Sequence, residues 1–437
     1  MKKAKRIMIG AGCFVLLLIS WILVVNSKST TEKQLELLRQ AEEFTKDGIY
    51  IHAVPLLEEA AGYNAAHTLA AEEELKKVYL ALINNRGISR KYIDILEKQM
   101  SRKDARPGVF AEAANYYLDI SRIPEALTVL RAGIETTGDE ELVSLYEGNR
   151  YAFIVNRTSY EQVAAIYGST VQVQSDGLWG VATSDGIMRI PCEYDKVSTF
   201  SGDRAIVMRN GDIYAIDSNN NRVAILRERA ADFGNYADNR ISFLIDGTWR
   251  RATGDLQPGT VEFEQIGMYS GGYAAARVNG KWGVIDTTSR WLISAEYDGI
   301  IMDELGRCYA RGAVFVQRNG AVFLFAGGRQ VGNAYEDAKP FSDEGYAAVK
   351  RGGKWGFIDI NGTVAIDFIF DDALSFGQHL AAVKLDDLWG YISVYGHIVI
   401  EPEFLEAKSF SNGSAPVLAE RGWQFITLHE YMGRPKL

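Results

Sequence analysis

Tryptophan recurs at a nearly constant interval through the last two-thirds of this 437-residue chain. The interval is 33–36 residues, except for one step of 40 residues between positions 282 and 322. Six of the eight tryptophans share this phase, with Ile213 and Val322 in the two intervening places; the six are Trp179, Trp249, Trp282, Trp355, Trp389 and Trp423. A period of this length predicts a repeat architecture in which each unit buries its apolar face against its neighbours.

The clearest copy of the unit has the sequence GKWGFIDING at residues 353–362, and a shorter copy, GKWGVID, lies at residues 280–286. The strand that begins at Trp355 carries apolar side chains on both faces, so both faces of its sheet must be covered. An Asn-Gly or Asp-Gly pair precedes this strand in five copies and favours the positive φ angles of a tight hairpin. The five pairs lie at residues 176–177, 210–211, 246–247, 279–280 and 319–320. Each unit is therefore predicted to contain three or four strands.

The repeated motif resembles that of the WG-repeat (KWG) family, and the resemblance extends over residues 160–430. A second hallmark of that family, the segment FSDEGYAAV, lies at residues 341–349, with related segments at 376–383 and 269–276. The resemblance implies a repeat fold of the β-propeller type. It leaves the function open, because many members are bacterial proteins of unknown role.

Recurrence at one strand phase indicates that the tryptophans pack inside the repeats, in preference to forming platforms for sugar stacking. A glycine follows the tryptophan in four copies, where we expect a neighbouring backbone to approach closely; these are Gly180, Gly283, Gly356 and Gly390. The tryptophans and glycines are thus structural repeat positions. The sequence nominates no catalytic, cofactor-binding or metal-binding residue.

The two ends of the repeat array are complementary. Only 14 residues follow Trp423, so the last unit is incomplete, while residues 151–155 and 160–163 have the pattern of the missing strands. Complementary ends predict a ring that is closed by strands from both ends of the array. We therefore expect residues 150–437 to form an all-β propeller of about eight blades, with an open β-solenoid as the alternative.

Residues 31–149 differ from the repeats, because they are rich in Ala, Leu, Glu and Lys with apolar residues at helical spacing. One pattern recurs around Ala53, Tyr92 and Ala126, at steps of 39 and 34 residues. A two-helix repeat of this length, with small residues where the helices cross, is similar to the tetratricopeptide repeat. The resemblance implies a short all-α solenoid whose concave face binds peptides or proteins, and a rigid spacer is the alternative.

Residues 7–25 form an uninterrupted uncharged run that follows four basic residues among the first six positions. At about 1.5 Å per residue, a helix of this length covers roughly 28 Å, which matches the hydrocarbon core of a membrane. The preceding positive charge places the N-terminus in the cytoplasm. Residues 1–28 are thus predicted to be a basic tail and a single-pass transmembrane signal anchor, with the bulk of the chain extracytoplasmic. A cleaved signal peptide is the alternative.

Other candidate sites carry weaker patterns. Residues 217–228 place oxygen ligands at several positions of a calcium loop, but Arg222 stands where that loop needs glycine, so we expect a hairpin. Cys192 and Cys308 lie in different repeats, which predicts two free, buried thiols. No two histidines have metal-ligand spacing within one element; the five are His52, His67, His379, His397 and His429.

Together these features predict a membrane-anchored, non-catalytic binding or scaffold protein of the cell envelope, with other proteins as partners and no cofactor. The net charge of −9, without a basic block in the soluble part, argues against a nucleic-acid partner. One alternative is recognition of cell-wall glycan by an aromatic rim of the propeller. Another is a hydrolase or lyase at the propeller mouth, which would need carboxylates or histidines on loops of several blades.

Overall fold

The computed structural model describes residues 30–431. The chain divides into two compact units between Tyr146 and Glu147. Across residues 30–431 there is no helix with the length and apolar character needed to cross a membrane. The predicted anchor at residues 7–25 lies outside the described residues and stays a prediction.

From residue 30 onwards, the predicted helical repeats are present as seven helices. Their order along the chain corresponds to the three predicted pairs, α1–α2, α3–α4 and α5–α6, followed by α7, but α3 packs more extensively against α2 than against α4. In chain order they are α1 (30–46), α2 (Tyr50–Gly62), α3 (Thr68–Ala81), α4 (Ile88–Met100), α5 (Pro107–Asp119), α6 (Ile123–Thr137) and α7 (Glu140–Asn149).

Small residues lie buried where the helices of the first and third pairs pack together. Ala53 and Ala126 are both 0% exposed, which allows close approach of the helix axes. The second pair has Tyr92 at this place, and its ring is fully buried while its hydroxyl donates to the Glu112 carboxylate at 2.9 Å. The ammonium of the buried Lys76 contacts the same carboxylate at 2.5 Å. The larger residue is tolerated because its polar atom has a partner inside the unit.

The described part of the second unit contains 32 strands in eight four-stranded antiparallel sheets. The sheets are the blades of an eight-bladed β-propeller, which confirms the predicted architecture. In each blade we name the strands a to d from the axis outwards, and strand a has only two residues.

The first four blades are blade 1 with β2 (Gln162–Val163), β3 (Thr170–Ser175), β4 (Leu178–Thr183) and β5 (Met188–Tyr194); blade 2 with β6 (Lys196–Val197), β7 (Arg204–Arg209), β8 (Asp212–Asp217) and β9 (Arg222–Ile225); blade 3 with β10 (Asp232–Phe233), β11 (Arg240–Ile245), β12 (Thr248–Thr253) and β13 (Pro258–Phe263); and blade 4 with β14 (Gln265–Ile266), β15 (Tyr273–Val278), β16 (Lys281–Asp286) and β17 (Trp291–Tyr297).

The last four are blade 5 with β18 (Gly299–Ile300), β19 (Ala313–Arg318), β20 (Ala321–Ala326) and β21 (Arg329–Tyr335); blade 6 with β22 (Asp337–Ala338), β23 (Tyr346–Arg351), β24 (Lys354–Asp359) and β25 (Val364–Phe370); blade 7 with β26 (Asp372–Ala373), β27 (Leu380–Leu385), β28 (Leu388–Ser393) and β29 (Ile398–Phe404); and blade 8 with β30 (Glu406–Ala407), β31 (Ser414–Ala419), β32 (Gly422–Leu428) and, from the start of the unit, β1 (Phe153–Val155).

Blade 8 is therefore completed by the first strand of the unit. β1 pairs antiparallel with β32, and Ile154 lies opposite Thr427. Just beyond the strand, the backbone N–H of Asn156 donates to the carbonyl of Phe425 at 2.8 Å. The ring is closed by strands from both ends of the repeat array, as the complementary ends predict, and it is not the alternative open β-solenoid.

The b–c hairpins have the geometry expected from their Asn-Gly and Asp-Gly pairs. In all five pairs both central residues have positive φ, at 50–54° for the Asn or Asp and 72–82° for the glycine. Such turns match the twist of the flanking strands and fix the register of strands b and c.

Chain direction gives the propeller two distinct faces. Strand b begins at the a–b loop near the axis and ends at the b–c hairpin, and successive strands alternate in direction. The a–b loops and c–d hairpins consequently share one face, which we call the a–b face. The b–c hairpins and d–a connections share the other, the b–c face.

Candidate functional site

The repeat tryptophans lie near the start of strand c, opposite an aromatic residue at the end of strand d or just beyond it. Trp355, Trp389 and Trp423 are 3%, 8% and 9% exposed, and the other three are half-buried in the cores between blades. Cross-strand aromatic pairs of this kind contribute to sheet stability. The cross-strand partners are Trp179 with Tyr194, Trp249 with Phe263, Trp282 with Tyr297, Trp355 with Phe370, Trp389 with Phe404 and Trp423 with Tyr160.

The glycine after the tryptophan lies against the backbone of strand d. A Cβ atom on Gly356 would lie 2.7 Å from the carbonyl oxygen of Ile366, and one on Gly390 would lie 2.5 Å from that of Ile400. Gly180 and Gly283 are equally crowded by the same strand of their blades. This is the close backbone approach that the sequence predicts at the glycine. In the Trp-Gly pair, the tryptophan packs in the core and the glycine allows strand d to lie close to strand c.

A carboxylate before strand a holds the b–c hairpin of the same blade. The Asp298 carboxylate, for example, accepts the backbone N–H of Asn319 at 2.7 Å and contacts Lys281 of the preceding blade at 2.7 Å. These two contacts, that of Lys281 first, lower the pKa of Asp298. Sequence reasoning missed this contact, although an acidic residue recurs directly after the strand-d aromatic. The six residues that act in this way are Glu161, Asp195, Glu264, Asp298, Glu336 and Asp371.

The segment that partly matches a calcium loop is a c–d hairpin, as expected. The carboxylate of Asp217 accepts the backbone N–H groups of Asn219 and Asn221, both at 2.8 Å. Hydrogen bonding, above all from the backbone of Asn221, lowers the pKa of Asp217. In the part of the chain that the structure describes, no three His, Cys, Asp or Glu side chains are grouped so that they could hold a metal.

The same aspartate turn, which the c–d hairpins at Asp286 and Asp359 also contain, occurs at the axis of the propeller. The a–b loop of blade 5, residues 301–312, contains the sequence DELGR, in which Asp303 accepts the backbone N–H groups of Leu305 at 3.0 Å and Arg307 at 2.9 Å. The backbone N–H of Asp303 donates to the carbonyl of Arg307 at 2.9 Å and closes the turn. This loop accounts for the 40-residue step in the repeat. We call residues 301–312 the axial plug.

The axial plug reaches loops of four other blades. The carbonyl of Leu305 accepts the side-chain N–H of Asn235 at 3.0 Å, and the carbonyl of Gly306 accepts the backbone N–H of Met268 at 2.9 Å. Leu305 itself is 4% exposed and packs with loop residues of blades 1, 3 and 4. On the opposite side the Glu304 carboxylate pairs with Lys408 of blade 8 at 2.6 Å. Contacts with blades 1, 3, 4 and 8 place this loop across the central channel.

Beside the plug lies a cavity of about 650 Å³, which we call the axial cavity. Its walls come from the plug and from the a–b loops of blades 1, 4, 6, 7 and 8. Three of its lining residues, Gly168, Glu304 and Asp343, are exposed, so the cavity reaches solvent on the a–b face. It is the candidate functional site. Sequence reasoning named the propeller mouth but none of the residues that line it.

The charged groups of the axial cavity divide into paired and unpaired ones. Within the plug, Asp303 pairs with Arg307 at 2.6 Å, and Glu304 pairs with Lys408 as described above. In the described chain, Asp343, Glu344 and Lys339 form no ion pair at all. The Lys339 ammonium lies 5.1 Å from the centre of the Trp355 ring, and Glu344 accepts the backbone N–H of His379 at 2.9 Å.

Serine hydroxyls in the same wall are hydrogen-bonded from blade to blade. Ser409 of blade 8 donates to the carbonyl of Ser375 at 2.9 Å, and Ser375 of blade 7 donates to the carbonyl of Pro340 at 2.5 Å. Ser411 donates to the carbonyl of Gly168 across the closure of the ring, at 3.4 Å. These bonds connect neighbouring loops. They also use the three hydroxyl hydrogens, so that these serines have no hydrogen left to donate to a ligand.

Between residues 30 and 431 the cysteines and histidines do not come together in one site. Cys308 lies in the axial plug and is 1% exposed, whereas Cys192 lies half-buried on β5; both are free. Burial raises the pKa of Cys308 to about 12. The histidines are spread over both units, and in the described residues they do not meet at a common centre; they are His52 on α2, His67 before α3, His379 and His397 in loops of blade 7, and His429 after β32.

Comparison with known proteins identifies the repeat. The family model described as WG containing repeat matches six segments of the chain, at residues 179–211, 261–282, 282–304, 334–355, 355–389 and 389–420. No curated protein sequence matches the chain at a significant level.

Similar solved structures include Kluyveromyces lactis Hsv2, at 9% identity and a TM-score of 0.35, which covers 60% of this chain and 97% of that one. Another is the Neurospora crassa Pan2 WD40 domain, at 8% identity and a TM-score of 0.37, which covers 66% of this chain and 96% of that one. With six matched segments between residues 179 and 420, the propeller of this chain belongs to the family of WG-containing repeats.

Proposed function

We propose that this chain is a non-catalytic binding scaffold whose propeller holds another protein through its a–b face. The observation that carries the proposal is the axial cavity, which is bordered by loops of six blades and reaches solvent on that face. A pocket at the meeting point of many loops is a common place for binding on a repeat ring.

The chemistry of the cavity favours binding over catalysis. Of its carboxylates, Asp303 and Glu304 are each held in an ion pair at 2.6 Å, so neither is free to act as a general base. The residues that line the cavity include no histidine and no cysteine. What remains is a polar wall with two unpaired carboxylates and one unpaired ammonium, which suits recognition.

The proposed setting is the cell envelope. The uncharged run at residues 7–25, with basic residues before it, supports a single-pass anchor with a cytoplasmic N-terminus and both described units outside. The helical unit then acts as a second binding surface or as a spacer between the membrane and the propeller. Protease treatment of intact cells tests this arrangement, because a protected C-terminus would reverse the proposed orientation.

Site-specific photo-crosslinking in intact cells tests the partner class. A photoreactive amino acid at position 203, in an a–b loop, is compared with one at position 212, in a b–c hairpin, so that the two sites differ in face but share the propeller. The proposal expects a discrete protein adduct from position 203 only. Adducts with wall material that free oligosaccharide competes away would overturn it in favour of glycan recognition, and equal adducts from both faces would also contradict it.

A further inference from the structure

We propose that the axial cavity receives a basic side chain, a lysine or an arginine, presented by the protein partner. The inference rests on the proposed function and specifies the chemistry of its binding site. It follows from the size of the cavity, from the balance of its unpaired charges and from the orientation of its hydroxyl groups.

The size of the cavity sets the scale of what can enter. Ligand pockets in proteins typically measure about 300–1,000 Å³, and the axial cavity measures about 650 Å³. This volume accommodates one long side chain with the two or three residues around it. It is too small for a folded element of the partner, so the cavity selects an exposed loop or chain end.

The unpaired charges favour a cation. Asp303 and Glu304 are neutralised by Arg307 and Lys408, which leaves the carboxylates of Asp343 and Glu344 against the single ammonium of Lys339 among the lining residues. The guanidinium of Arg311 lies just outside the lining and donates to the backbone carbonyl of Asp343 at 2.7 Å. That ammonium is already placed over an aromatic ring, where its charge is partly compensated. The residual charge of the lining is thus negative, and the net charge of −9 of the whole chain steers basic partners in the same sense.

Three serine hydroxyls of the wall act as acceptors. Ser375, Ser409 and Ser411 each donate their hydrogen to a backbone carbonyl of a neighbouring blade, so only oxygen lone pairs remain for anything in the cavity. A lysine ammonium brings three donors and an arginine guanidinium brings five, with no acceptor. A basic side chain can therefore donate to these three serine oxygens as well as to the two unpaired carboxylates, whereas a carboxylate would receive no hydrogen bond from the three serines.

Calorimetric titration of the purified full-length chain in detergent tests the proposal with defined probes. The probes are trilysine, triglutamate and trialanine, each with acetylated and amidated ends so that only the side chains differ. We expect trilysine alone to bind, with an affinity that falls as salt is added because the attraction is electrostatic. Binding of triglutamate in preference to trilysine would overturn the proposal.

Variants locate the binding. Asp343→Asn with Glu344→Gln keeps the shape of both side chains, and the glutamine retains an oxygen for the N–H of His379. This double variant should weaken trilysine binding by about tenfold or more, while Lys339→Met should strengthen it several-fold because it removes a like charge. The matched control, Asp212→Asn with Glu420→Gln, removes two exposed carboxylates from the b–c face and should leave the affinity unchanged.

The outcomes separate this inference from the proposed function. Equal weakening by the cavity variant and by the control would mean that trilysine binds through general acidity, which overturns the inference. Absence of trilysine binding, together with a protein adduct from position 203, would overturn the inference and leave the scaffold function standing. If trilysine does not bind and position 203 gives no protein adduct, both the inference and the proposed scaffold function are overturned.

Discussion

Gly356→Ala should destabilise the propeller, because the added methyl group meets backbone atoms that cannot move aside. Its Cβ atom would lie 2.7 Å from the carbonyl oxygen of Ile366 and 3.0 Å from the carbonyl group of Asp367. Both neighbours belong to strand d of the same blade, which is hydrogen-bonded to strand c and cannot rotate away as a side chain can. Overpacking of this kind costs about 1–3 kcal/mol of unfolding free energy.

Gly259→Ala is the matched control, since Gly259 also lies in a propeller strand. A Cβ atom there would meet only the carbonyl oxygen of Arg251, at an ordinary contact distance of 3.4 Å. We expect this substitution to be neutral, or to stabilise the fold by about 0.4–1 kcal/mol through the lower entropy of the unfolded chain.

Thermal unfolding of the purified variants, followed by tryptophan fluorescence, measures the difference. A loss of about 2 kcal/mol in a unit of this size corresponds to a fall in Tm of roughly 4–8 °C. Gly390→Ala, whose Cβ would lie 2.5 Å from the carbonyl oxygen of Ile400, should show at least as large a fall. Equal Tm values for Gly356→Ala and Gly259→Ala would refute the packing explanation of the Trp-Gly pair.

Three further predictions concern the axis and the ring. Leu305→Ala should release the axial plug and lower the free energy of unfolding by about 2–3 kcal/mol. The thiol of Cys308, which is buried in the plug, should then react with a maleimide. An unreactive thiol in this variant would show that Leu305 does not hold the plug in place. Full burial raises the pKa of Tyr391 well above its ordinary value. The stability that the buried, protonated phenol contributes is therefore complete below about pH 10 and is lost as the pH rises above it. In a series of Tm values against pH, Tyr391→Phe should flatten this alkaline decline. Removal of residues 1–149 should leave cooperative unfolding of the propeller intact, whereas removal of residues 1–157, which deletes β1, should abolish it; identical melting curves would contradict closure through β1.

The repeat fold could be predicted from the sequence because its signals are local and recur. The Trp-Gly pairs give the period, and the turn pairs give the hairpins, whose positive φ angles the structure confirms. The closing strand could also be predicted, since the missing piece of the last unit is present before Tyr160. Each of these signals is repeated or complemented elsewhere in the chain, so chance resemblance is an inadequate explanation.

The candidate site could not be predicted in the same way. The axial cavity depends on which loops of distant blades meet at the axis, and ring closure brings Ser411 to Gly168 although 243 residues separate them. The sequence does indicate the plug as an insertion, because one step of the repeat is 40 residues long. The DELGR sequence of the plug also has the pattern of a c–d hairpin turn, such as DTTSR at residues 286–290. What the sequence lacks is the information that this extra turn points inwards, which is set by the closed ring.

Hydrogen exchange at the backbone amide of Asn156 tests ring closure most directly. In the closed propeller this amide donates to the carbonyl of Phe425 at 2.8 Å, next to the pairing of β1 with β32. The closed ring predicts slow exchange, comparable with that of amides in the strands of blade 7. Exchange at the rate of an unstructured chain would show that the two ends of the repeat array do not meet, and the axial cavity would then have no closed wall.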